Sequence, residues 1–454
     1  MSETDVDKDT LDTRLASLDE AFETGRTRRL KPMLAAMHPA ETALLLESIP
    51  RDKRETVWRL IPDDDHGETL LHVNGEVRAE LVDTLEHDTL LAATEGLAID
   101  DLADLIEDLP DPVTRDMLRA MDADNRERLK AVLAYDPASA GGLMNNDTVT
   151  VRPDVSLAVV ARFLRWQGRL PEDTETLFVI SRQGRYIGLL PLSKLVTLDP
   201  ERDVSEVMDT DIDALAVDMP AAQVAKRFQD LDLISAPVVN ADGVLLGRIT
   251  IDDVVDVIRD EAEHRIMSLA GLDEEEDVFA PIPRSARRRA IWLGANLMTA
   301  FVASQVVNLF EGALSQVVAL AVLMPIVASM GGIGGTQTLT LMIRGLSLGQ
   351  IGFGNARALL MKEIAVALIN GLLWGAVVGG IAILWFDNAT LGAVMAAALI
   401  INHLNAAVTG VAIPLAMKRM GIDPALAGSV VLTTFTDVIG FAAFLGLGTI
   451  FLTH

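Results

Sequence analysis

Met330-Gly331-Gly332-Ile333-Gly334-Gly335-Thr336-Gln337 is the stretch on which the reading of this chain turns. It closes the apolar run 314–330 and precedes the next charge, Arg344. Glycine loosens helix and lets backbone approach a ligand closely. Inside a bilayer, interrupted helix is tolerated only where protein or a water-filled path satisfies its backbone groups. The stretch is therefore expected to break a helix and line a pore, through Gly331, Gly332, Gly334, Gly335, Thr336 and Gln337. The competing reading is a small-residue contact between helices, since glycines also let spans pack closely. A lone carboxylate further on, Asp437, tips the balance toward a pore.

Outward from there the chain divides. It has 454 residues, enough for several domains. Up to about Pro283 it is acidic and soluble in character, and from Ile291 onward it is a series of long apolar runs. The net charge of −27 belongs mostly to the first part and argues against nucleic acid, which needs a basic surface. A solvated surface suited to high salt accounts for most of the carboxylates, and cation binding for a local cluster. The chain has no cysteine, so disulfides, thiolate catalysis and cysteine zinc sites are excluded. The polar start MSETDVDKDT is not expected to be a signal peptide.

Residues 12–135 read as helices. Leu44, Leu45, Leu46 and Ile49 recur at helical spacing, as do Leu102, Leu105, Ile106 and Leu109. The run ending at Pro50 echoes the run ending at Pro110, and each precedes an Arg-containing helix, which suggests a helical array. His38, His66, His72 and His87 are scattered and read as surface or capping groups. No nucleophile–base pair or phosphate loop is evident, so an enzyme is not expected.

After Gly142 the texture becomes strand and helix. Strands are expected at 148–151, 177–180 and 188–190, with a helix over 156–166. The pattern recurs: Val207-Met208-Asp209 echoes Leu143-Met144-Asn145, a helix runs 221–228, and strands follow at 236–239 and 246–250. This tandem resembles a pair of cystathionine-β-synthase (CBS) domains over 143–262. Thr250 and Asp253 match the T-x-x-D that holds a nucleotide ribose in nucleotide-binding members, so the resemblance implies at most one ATP site; a purely structural pair is the alternative. The first repeat, Gly188 to Lys194, lacks that pair.

A helix after the second repeat crowds Asp252, Asp253, Asp256, Asp260 and Glu263 at three- and four-residue spacings. Like charges at that spacing destabilise an isolated helix. A divalent cation taking carboxylate oxygens would offset the repulsion; a solvated face is the plain alternative. An acidic run, 273–277, follows, then Pro281 and Pro283 break the chain before Arg287-Arg288-Arg289, where the membrane surface is expected.

Five apolar runs, 291–309, 314–330, 364–385, 391–416 and 425–452, are each long enough to cross a hydrocarbon core about 30 Å thick. Arg284 to Arg289, then Arg344, Arg357 and Lys362, then Lys418 and Arg419 all fall on one side. The opposite flanks hold no Lys or Arg, so the N-terminal part is expected in the cytoplasm and the C-terminus outside. Within the last run, Thr433 and Thr434, also expected to line the pore, precede Asp437. An aspartate at mid-membrane costs a few kcal/mol on the mildest scales, so it should face a cavity or a cation. Asn402, His403 and Asn405 are softer candidates, and His403 reads as hydrogen-bonded packing.

Taken together, cytoplasmic helices, a CBS pair, an acidic connecting helix and five spans resemble the MgtE magnesium channels. The motifs that carry the resemblance are Met37-His38-Pro39-Ala40, residues 136–144, Ile422-Asp423-Pro424-Ala425-Leu426 and Thr434-Phe435-Thr436-Asp437-Val438-Ile439-Gly440. The resemblance implies a multi-domain chain: a superhelical α-helical N domain (1–136), two α/β CBS domains (137–203 and 204–262), a connecting plug helix (263–290) and a five-span pore domain (291–454). It implies a homodimer in membrane lipid, with Asp437 binding hydrated Mg2+ in a pore on the two-fold axis. It further implies cytoplasmic Mg2+ sensing by acidic residues, for which Asp252, Asp253, Asp256, Glu261 and Glu263 are the candidates, closing the channel as Mg2+ rises. Three departures stand out. Ile333 and Thr336 fall in a loop that usually carries two Asn, Ser429 stands near another usual Asn, and His264 and Arg265 stand where acidic residues are common. Rival readings are a broader carrier of Co2+, Ni2+ or Mn2+, an exporter, or a nucleotide-sensing regulatory membrane protein.

Overall fold

The computed structural model describes residues 3–94, 97–106, 108–171, 174–272, 276–352 and 354–453. Most of the acidic run, 273–275, lies outside the described residues. The chain forms two compact units: Met1–Ala262 with Glu275–Ala280, and Glu263–Glu274 with Pro281–His454.

In the first unit, helices from Glu3–Glu23 to Ala123–Val132 enclose one apolar core around Leu45, Leu46, Val57, Trp58, Leu70, Val77 and Leu105. The sequence echo has a physical basis. Pro50 and Pro110 are N-caps of the helices Arg51–Trp58 and Asp111–Ala120, where a ring with no N–H forfeits no intrahelical bond. The histidines divide. His38 caps Pro39–Glu47, its ring accepting from the Ala40 amide while Glu41 reaches back to the His38 amide. His66 corrects the expectation of a surface group: it is buried and stacked on Trp58 at 4.6 Å.

Arg54 lies at the centre of this core with 0% exposure. It donates to the Leu46 carbonyl at 3.0 Å and to Glu80 at 2.8 Å. It also forms a two-pronged pair with Asp277, at 2.7 and 2.8 Å, across 223 residues of chain. The Asp277 amide donates to Glu76. The short segment after the acidic helix is thereby folded into the first unit.

Each α/β repeat has a three-stranded sheet. Thr150–Val151 runs parallel to Thr176–Ile180, which pairs antiparallel with Tyr186–Pro191. Leu215–Ala216, Ser235–Val239 and Leu245–Thr250 repeat this order, with the register shift at the same place. The leaders cross over: Asn145 bridges to Arg248 and Asp209 to Leu189. A Cβ on Gly188 would lie 2.5 Å from the Asp209 carbonyl, and one on Gly247 2.6 Å from that of Asn145. Only glycine admits each crossing.

Among the described residues, the second unit holds five helices long and apolar enough to cross a membrane: Ile282–Asn308, Val318–Ser347, Ala356–Phe386, Ala389–Arg419 and the last, Pro424–Leu452. We number them spans one to five. They begin earlier or end later than the apolar runs because backbone hydrogen bonding continues past the point where hydropathy fades. The arginines 284–289 thus lie on the first turns of span one. Spans three and four meet along a glycine seam, in which a Cβ on Gly375 would touch Ala396 and one on Gly379 would touch Gly392.

One expectation is overturned here. The glycine-rich stretch does not break a helix. It lies inside the unbroken span two, because packing against spans four and five supplies the stability that glycine's low helix propensity withholds.

Candidate functional site

Span two is a helix, so its residues sort by face. Side chains four apart stand above one another. Ala328, Gly332 and Thr336 form one such row, and Ser329, Ile333 and Gln337 the next. Both rows line a cleft of about 500 Å3, completed by Thr433 and Asp437, themselves four apart on span five. Gly331 and Gly335 point away, packed against Asn402 and Leu432. Of the residues expected to line a pore, Gly332, Thr336, Gln337, Thr433 and Asp437 line this cleft. Gly331, Gly334, Gly335 and Thr434 are not among the lining residues. Ala328, Ser329 and Ile333 were missed, although the four-residue period would have found them in a continuous helix.

The chemistry of the cleft is set by its protons. Thr336 donates its hydroxyl hydrogen to the Gly332 carbonyl at 2.9 Å, and Thr433 donates its own to Ser429 at 2.9 Å. What remains on both oxygens is acceptor capacity. Asp437 adds a half-buried carboxylate, with no hydrogen-bond donor or cation on it among the described residues. Acceptors facing a cleft suit a cation whose bound waters donate outward.

Among the buried polar groups behind this wall are His403 and Glu363. His403 is held by the Leu399 carbonyl at 2.8 Å, the packing role expected of it. Glu363, on the second turn of span three, accepts from Thr338 at 3.1 Å and lies 3.3 Å from Lys362. It lies one residue before the third apolar run, so hydropathy hid it.

The acidic helix is Ile251–Leu269. Asp252, Asp256 and Glu263 are exposed along it, and Glu261 is half-buried. Asp256 lies 3.4 Å from Arg259. Among the described residues no three carboxylates or imidazoles converge as a metal site would require. Burial pushes the Asp101 carboxyl of the helical array upward against the pull of the Ala98 amide, and the charges of Asp252 and Glu68 add to the push. Thr250 donates through both its amide and its hydroxyl to Asp253, which closes the first turn of the helix. Further along, His264 Nε2 lies 2.9 Å from the Asp423 carboxylate. Asp423 is the N-cap of span five, accepting from the Ala425 amide.

Comparison with known proteins bears on these features. A family model described as divalent cation transporter, MgtE, matches residues 324–447. One for the MgtE intracellular N domain matches 37–138, and one for the CBS domain matches 204–260. The magnesium transporter MgtE of Thermus thermophilus is 32% identical over 444 residues, covering 96% of this chain and 98% of that one. That of Bacillus subtilis is 26% identical, covering 94% and 95%. A solved structure of the cytosolic domain of the Mg2+ channel MgtE in complex with ATP is 33% identical. It covers 53% of this chain and 99% of that one, with a TM-score of 0.48.

Proposed function

Because the chain belongs to the MgtE family of divalent cation transporters, we propose that it conducts Mg2+ into the cytoplasm through the cleft that holds Asp437. The observation that carries this reading is a membrane carboxylate facing a cleft beside two threonine hydroxyls free to accept, with no cation of its own among the described residues. Mg2+ sheds water reluctantly, so acceptors that receive hydrogen bonds from its bound waters suit it better than a dry cage. The cleft is open, with spans two and five forming its walls. A second copy of the chain would supply the facing wall and a second Asp437, and this favours a homodimer with the pore on its axis. Span one has a single buried residue, Ala303, so its apolar faces are free for lipid or for the second copy.

Closure is assigned to the acidic helix. The charge of Asp252 adds to the upward push that burial gives the Asp101 carboxyl, and cytoplasmic Mg2+ ions attracted to Asp252, Asp253, Asp256, Glu261 and Glu263 would screen that charge. The His264–Asp423 contact supplies a link to span five that needs no metal. At Thr250 and Asp253 the reading allows only a weak nucleotide site, because the two residues already satisfy one another. Calorimetric titration of the purified protein with ATP is expected to give no sub-micromolar binding.

The deciding experiment is Mg2+ flux into liposomes holding the purified protein, with Mg2+ varied on the cytoplasmic side. Flux that is lost in Asp437→Asn and declines as cytoplasmic Mg2+ rises is the expected result. Undiminished flux in Asp437→Asn would remove the pore assignment. Flux indifferent to cytoplasmic Mg2+ would remove the gate and keep the pore.

A further inference from the structure

We propose that Asn402 is a positioning residue of the conduction pathway: a peg, set behind the cleft, that fixes the separation of its two walls and with it the selection of the ion. This deepens the reading of Asp437 as the pore carboxylate and rests on it.

Asn402 is on span four with 0% exposure. Its Nδ2 donates to the Val327 carbonyl of span two at 2.9 Å. Its Oδ1 is buried with no hydrogen-bond partner among the described residues. The side chain enters a space left by two glycines. A Cβ on Gly331 of span two would lie 2.1 Å from Nδ2 and 2.6 Å from Cγ. A Cβ on Gly440 of span five would lie 2.6 Å from the same Nδ2 and 2.9 Å from Cγ. No side chain fits at either place while Asn402 is there.

These contacts lie directly behind the lining residues. Val327 and Gly331 adjoin Ala328 and Gly332, which face the cleft. Gly440 is three residues, less than one helical turn, beyond Asp437. One amide therefore touches the backs of both walls at the level of the carboxylate. Three positions further on, Asn405 donates to the Phe435 carbonyl of span five at 3.2 Å, so the same face of span four is tied to each wall. An apolar side chain would fill the space without burying an unpaired oxygen, which is costly in an apolar interior. In a bilayer, where apolar surface gives helices no reason to choose one another over lipid, a hydrogen-bonded peg fixes a spacing that packing alone leaves adjustable. Spacing is what an ion with an intact water shell is measured against.

The test is Mg2+ flux by the purified full-length chain in liposomes, reading the half-saturating Mg2+ concentration separately from the maximal rate per folded molecule. Competition by Ca2+ and Co2+ is read alongside. Asn402→Ala is expected to raise the half-saturating concentration about tenfold and to weaken discrimination among the three ions. Gly440→Ala, whose methyl group meets the peg from the other side, is expected to shift the same constant. The double variant is expected to be no worse than Asn402→Ala, because the clash is gone. Should Asn402→Ala fail to fold, Gly440→Ala reads the same contact. A fall in maximal rate alone, with the half-saturating concentration unchanged, would mean that Asn402 serves only to hold the fold, and would overturn the proposal. Asp437→Asn is run in parallel. If it abolishes flux while the Asn402 and Gly440 variants keep wild-type constants, this inference fails and the pore reading stands. If flux survives Asp437→Asn, both fail.

Discussion

Asp277 and Asp437 are both withdrawn from bulk water, and they differ in what was provided for them. Asp277, in the first unit, is met by both prongs of Arg54, and its backbone amide is taken by Glu76. Asp437, in the second, faces a cleft beside the Thr336 and Thr433 hydroxyls, with no donor on it among the described residues. A buried charge that has its partner holds a structure in one arrangement. A carboxylate left without one, at the edge of a cavity inside a membrane, must be accommodated by water, a proton or a visiting cation.

The largest effect that would break this contrast is at Asp437. Removing its charge is expected to lower flux by about a hundredfold or more, since a few kcal/mol at an ion site corresponds to orders of magnitude in rate. Asp277→Asn is expected to leave the ion's half-saturating concentration unchanged, and both are read in the same liposome assay. Next comes Arg54→Met, which strips the buried Asp277 of its guanidinium partner and leaves Glu80 to Arg51. A loss of about 3–5 kcal/mol is expected, as for other broken buried pairs. Native-state hydrogen exchange along Arg51–Trp58 would register it, and an unchanged rate would mean that water already reaches the pair.

A smaller effect is expected at His264. An exposed contact of this kind is worth up to about 1 kcal/mol, so His264→Ala should shift the cytoplasmic Mg2+ concentration for half closure by no more than about fivefold. The smallest effect concerns Glu47. Burial pushes its carboxyl upward, against the Asn74 amide from which it accepts. The folded chain then holds that proton more tightly than the unfolded chain, so stability falls as pH rises from the ordinary carboxylate range to the raised value. Glu47→Gln should flatten that part of the pH dependence of the melting temperature and leave the rest unaltered.

Much of this was legible in the chain itself. All the tandem strands but Leu215–Ala216 were located to within two or three residues, because apolar runs end at turn residues on both repeats, whereas a two-residue strand leaves no run to read. Asp437 stood out because a charge in an apolar run has few innocent explanations. The glycine-rich stretch misled where it was read as a contiguous segment. Seen as helix, the same residues divide into a cleft face (Gly332, Thr336, Gln337) and a packing face (Gly331, Gly335). Arg54 gave no signal, since a single arginine in an acidic domain has many surface partners to choose from. Its actual partner is 223 residues away.

What the sequence determined by itself is whatever repeats or contrasts along the chain: apolar length, helical and strand periods, the duplicated α/β unit and the isolated membrane carboxylate. These follow from local backbone preference and from the cost of moving charge out of water, and neither depends on knowing the neighbours. What only the tertiary structure decided is which faces meet. The glycines at 331 and 440 take their meaning from Asn402, and Asp277 takes its meaning from Arg54, because close contact is a property of two surfaces and the chain spells out one at a time.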